Sequence, residues 1–123
     1  MVEKECIQNI SAEDVIGKEK QGGLVLQGCG GDLLEWQNGI NELLTGAGIL
    51  QNGTSFHKVY AFENEGLTNL LFPFNKDVDI DFNRLATWRL QTHEQFGGTW
   101  ISDYIEDHLT GSDETQDSET TLQ

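Results

Sequence analysis

The sequence predicts an α+β fold in which a small antiparallel sheet, built around a β-hairpin, is packed by three helices. Three observations lead there. Apolar residues recur at helical spacing after Asp32, after Asp81 and after Thr99. Between the first two of these stretches, two aromatic and branched runs flank a short glycine turn. A chain of 123 residues is about one domain with one core.

The first twenty residues mix charge with Cys6, Ile7, Ile10, Val15 and Ile16, and read as a short strand followed by a turn at Ser11 to Asp14. Gly22 and Gly23 introduce Leu24, Val25 and Leu26, a second short strand. From Asp32 the pattern is helical. Leu33, Trp36, Ile40, Leu43 and Leu44 share a face, Asp32 is a good N-cap, and Gly46 a good stop. Asn38 and Gly39 weaken this helix midway, the glycine by about 1 kcal/mol relative to Ala.

The turn QNGT at 51–54 precedes SFHKVYAFE, in which Phe56, Tyr60 and Phe62 alternate with His57, Val59 and Ala61. Asn64, Glu65 and Gly66 then lead into LTNLLFPF, so that 55–73 reads as a hairpin. Pro73 cannot donate to a ladder, which predicts an edge or an end there. KDVDIDF at 76–82 alternates acids with apolar residues and reads as extended, and Asp81 can cap a helix running to Gly97 and Gly98. A last helix is expected from about Thr99, with Trp100, Tyr104, Ile105, His108 and Leu109 on one side. Residues 1–109 are expected to form the single domain, and the polar, acidic 110–123 a disordered tail.

Charge narrows the partners. Twenty-one acids against seven bases give a formal net of −14, of which the tail carries four. Such a field repels phosphate backbones and anionic membranes and attracts basic surfaces. Direct nucleic-acid and membrane binding are therefore not expected. Cys6 and Cys29 lack paired spacing, no secretory segment precedes them and no apolar run approaches a membrane span, so the expected location is cytoplasmic.

Each chemical motif has an ordinary structural reading beside it. In GCGGD, Leu33 stands where a dinucleotide fingerprint needs its third glycine, and no phosphate-loop lysine follows. Cys29 precedes a helix N-terminus, which could favour a thiolate. A thiol hydrolase would also need a base from His57, His93 or His108, none in a recognisable catalytic context. The histidines lie 36 and 15 residues apart, without metal-ligand spacing. Asp77, Asp79 and Asp81 imitate the start of a calcium loop, but Phe82 and Trp88 replace its glycine and its closing glutamate. No metal, cofactor or catalytic residue is expected.

The same three aspartates support another reading. On an extended strand they would project from one face about 6.6 Å apart, at roughly 3.3 Å per residue, near the per-strand phosphate repeat of order 7 Å. With Asp103, Glu106 and Asp107 on the last helix they could form an acidic stripe that imitates nucleic acid, with Trp100 or Trp88 as an apolar anchor. The alternatives are a solvated polar face and core-packed tryptophans.

At VLQGCGGDL, GLTNLLF and WRLQTHEQFGGTWISDYIEDHL, together spanning roughly residues 24 to 109, the chain resembles small acidic proteins of phage-like and conjugative elements of gut Firmicutes and their relatives. The resemblance brings no assigned activity and no catalytic residues to carry over. It implies a mobile-element setting, and with it an anti-defence role of the anti-CRISPR or anti-restriction kind. The expected function is thus non-catalytic binding to a basic protein surface, most concretely that of a nucleic-acid-binding protein. The alternatives are an accessory interaction protein of a mobile element, bound through its hairpin edge or a helical face, and a small Cys29-dependent hydrolase.

Overall fold

The computed structural model describes residues 6–96 and 98–110; the expected tail beyond them lies outside the described residues. Among the described residues, five strands and four helices follow one another as β1 (Cys6–Asn9), α1 (Ala12–Gly17), β2 (Gly23–Leu26), α2 (Leu33–Gly46), β3 (Lys58–Asn64), β4 (Leu67–Pro73), α3 (Phe82–Phe96), β5 (Thr99–Trp100) and α4 (Ile101–Tyr104). A π-helical stretch, Ile105–Thr110, prolongs α4. The α+β expectation holds, but the sheet is mixed rather than antiparallel. Its order is β1-β3-β4-β2-β5, with β1 parallel to β3 and every other pair antiparallel.

The hairpin β3–β4 forms at the expected turn, where Glu65 and Gly66 both take positive φ, 57° and 76°. That pairing of angles matches the right-handed twist of the flanking strands. Pro73 ends β4 opposite Gly23 and does not mark an edge, because β2 covers that strand and β1 covers β3. The edges are the short β1 and the two-residue β5.

Alternation along the strands divides the interior in two. Leu24, Leu26, Val59, Ala61, Leu70 and Phe72 face Ile40 and Leu44 of α2 and Leu85 of α3. Val25, Phe62 and Leu71 face Val15 of α1 and Ile101, Tyr104 and Ile105 of the C-terminal helix. The sheet is thus a middle layer, and burying each Val, Leu, Ile or Phe side chain among these stabilises the fold by about 1.5–3 kcal/mol.

Three expectations are corrected. Ser11 to Asp14 is the start of a helix, because Ser11 and Asp14 bond each other's backbone amides in a capping box. α2 ends at Gly46, but the left-handed glycine that closes it is Gly48, at φ +77°, and not Gly46 itself. A Cβ on Gly48 would meet the Arg84 guanidinium at 2.9 Å, and Arg84 Nη1 donates to Ala47 O. The residues after Gly98 enter β5 before turning helical, so Trp100 pairs with Leu24 and lies on the sheet face opposite Tyr104.

Candidate binding surfaces

The GCGG loop leaves β2 and is tied down at once. Gly28 takes φ +70° and donates its amide to Asn69 Oδ1 at 3.2 Å; the Cys29 amide donates to Thr68 O at 2.7 Å, and that of Gly30 to Gly28 O. These amides are spent within the protein, so they form no cradle for an anion. Asp32 then caps α2, its Oδ1 accepting from the amides of Leu34 and Glu35. Connection and cap account for the whole loop.

Cys29 is fully buried and its Sγ lies 3.6 Å from Leu26 O. Desolvation raises its pKa from the ordinary value of 9.0 to about 11, only partly opposed by a backbone hydrogen bond from Leu70. At neutral pH it is a thiol. The histidines have other partners: His57 Nε2 meets Ser55 Oγ at 3.2 Å, His93 Nδ1 meets Gly98 O at 2.7 Å, and His108 Nδ1 meets Glu65 Oε1 at 2.8 Å. The raised pKa leaves Cys29 without thiolate character at neutral pH, and these three histidine contacts, among the described residues, do not include it.

The expected acidic stripe does not assemble. Residues 76–78 turn, Val78 donating to Asn75 O at 3.1 Å, which takes Asp77 out of line, while Asp79 and Asp81 flank Ile80 where it bridges Leu50 in an antiparallel pair. Asp79 is held by Thr54 and Gln51 through its backbone and by the Asn52 amide through its carboxylate. Asp81 accepts from Arg84 N at 3.2 Å and forms an ion pair with the same residue at 3.3 Å, capping α3 as expected. Alternation in an extended 77–82 would turn Val78, Ile80 and Phe82 inward together; Val78 and Ile80 do pack on the α2–α3 side, but Phe82, at the start of α3, is 52% exposed. Asp103, Glu106 and Asp107 belong to the helix on the opposite face of the sheet. The six carboxylates therefore form two separate groups.

Trp100 is half-buried against the first core, with the Phe74 ring 6.2 Å away and the Arg89 guanidinium 5.3 Å from its centre. Trp88 is half-buried in the same core. Both tryptophans thus serve packing first, Trp100 at the edge of the sheet.

On the second face, the C-terminal helix buries Ile101, Tyr104 and Ile105 and exposes Ser102, Asp103, Glu106 and Asp107. Tyr104 fixes it to the hairpin: its hydroxyl accepts from Asn64 at 3.0 Å, and its ring stands edge-on to Phe62 and stacks on His108. Desolvation by burial raises the Tyr104 pKa, the Asn64 bond opposes this, and the Glu65 charge adds to it. Alongside, α1 exposes Glu13 and Asp14. No Lys or Arg occurs in α1 itself or from Ile101 to Thr110, although Lys18 stands at the C-cap of α1 with its ammonium 4.2 Å from the centre of the Tyr60 ring.

Among the described residues no group of three or more His, Cys, Asp or Glu is placed to hold a metal ion, and no helix is long and apolar enough to cross a membrane. No family model, curated protein or solved structure matches the chain. The pair that the sequence reading missed is Gln37 and Asn41, both buried on the inward face of α2. Their amides hold the backbone of Phe56 and His57, and their spacing of one helical turn between apolar residues is the signal that could have found them.

Proposed function

We propose that this chain is a non-catalytic module that binds a basic protein surface through the outward faces of α1 and the C-terminal helix. The observation that carries the reading is the exposure of Asp103, Glu106 and Asp107 on a helix whose other side is anchored in the core. A rigidly mounted carboxylate row attracts a basic partner at long range and fixes its orientation. Proteins that grip nucleic acid carry surfaces of that charge. The sequence resemblance to proteins of mobile elements makes a host or competing defence protein the first class to examine, with occlusion of its nucleic-acid groove as the mode of action.

The extended-strand spacing that suggested phosphate mimicry has lost its support, so the helix pair carries the proposal alone. In the accessory-protein reading, contact through the hairpin edge is confined to its turn end, because β1 pairs with β3 over Lys58–Ala61 and β2 with β4 over Leu70–Pro73. Replacing Asp103, Glu106 and Asp107 together by Lys should abolish capture of the partner and flatten its salt dependence. Unchanged capture would dismiss this face.

A further inference from the structure

Helix α2 contains a residue its own fold does not require. Gly39 lies mid-helix at a φ that any residue can adopt, and a Cβ there would meet nothing within 4 Å. Alanine would fit and would stabilise the helix by about 1 kcal/mol. The missing side chain instead opens a groove of about 430 Å³ with Gly39 and Ile40 on its floor. Trp36 forms one wall, held by donation from its indole Nε1 to Gly30 O at 2.9 Å, and Leu43, 48% exposed, stands at the other end. Asp32 and Glu35 line the rim, and no Lys or Arg occurs anywhere from residue 21 to residue 57.

We infer that this groove is a docking site for a lysine- or arginine-rich peptide segment of a partner protein, which lays one bulky apolar side chain over Gly39. An apolar floor inside an acidic rim suits an amphipathic basic segment, the apolar residue supplying affinity and the cations orientation. A second copy of this chain is a poorer occupant. It would bring its own acidic α2 against the same carboxylates. The site lies across the sheet from the carboxylates of α1 and the C-terminal helix, and so stands or falls independently of them.

The test uses the full chain and fluorescent synthetic helical peptides of alanine and lysine carrying one central Leu, Phe or Trp, read by anisotropy. Controls replace each Lys by Glu, or the bulky residue by Ala. Wild type should bind a lysine peptide only when the bulky residue is present, and Gly39→Leu should weaken that binding by about tenfold or more while raising the melting temperature. Glu35→Lys should weaken it too, whereas charge reversal of Asp103, Glu106 and Asp107 should not. Equal binding by Gly39→Leu, no binding of any lysine peptide, or self-association abolished by Gly39→Leu would each overturn the proposal.

Discussion

At the scale of single residues, burial decides chemistry. Cys29 sits one turn before a helix, where a thiolate is usually favoured, but desolvation outweighs the helix dipole and holds its pKa near 11. Because the folded value lies above the ordinary 9.0, the folded state favours the neutral thiol. Its contribution is complete below about pH 9 and is lost as pH rises toward 11, amounting to about 2–3 kcal/mol. Denaturant titrations across that interval should show the fall, and Cys29→Ala should reduce it; the same fall in both proteins would assign it to other groups. A thiol reagent at neutral pH should label folded Cys29 slowly and the unfolded chain quickly. Asp32→Ala should cost about 1 kcal/mol through loss of the α2 cap, measured by chemical denaturation.

Among the elements, those written in local periodicity were legible and those depending on remote partners were not. Helix α2, the hairpin turn at Glu65 and Gly66 and the Asp81 cap follow from spacing and capping chemistry alone. The parallel pairing of β1 with β3 does not, since a strand's neighbour is a property of the assembled sheet. KDVDIDF misled in part because alternation requires only that Val78 and Ile80 turn inward, which a turn at 76–78 followed by a single antiparallel bridge from Ile80 to Leu50 achieves without a full strand. Gln37 and Asn41 show the reverse case, polar residues on a core face that join α2 to the approach to β3. Asn41→Leu should destabilise by about 1–3 kcal/mol, because the amide and carbonyl of buried Phe56 lose their bonds to Asn41. Exposed Thr45→Ala, one turn later, should leave the fold as stable or more so. Equal losses in the two variants would remove the clamp from the account.

For the whole molecule, the net charge of −14 announced an acidic surface, but only the fold divides it. Of the residues singled out in the sequence, Asp79 and Asp81 stabilise a turn and a helix, Trp100 packs at the sheet edge, and Asp103, Glu106 and Asp107 stay in solvent together. Asp77→Lys should therefore leave partner binding intact, whereas Asp103→Lys should weaken it and reduce its dependence on salt. The most direct measurement is affinity capture from a lysate of the source organism, comparing wild type with the Asp103, Glu106 and Asp107 triple lysine variant at low and then high salt, with mass-spectrometric identification. The account predicts a basic nucleic-acid-binding protein that wild type retains at low salt, releases at high salt, and the variant fails to capture. Retention of the same proteins by both chains, regardless of salt, would contradict it.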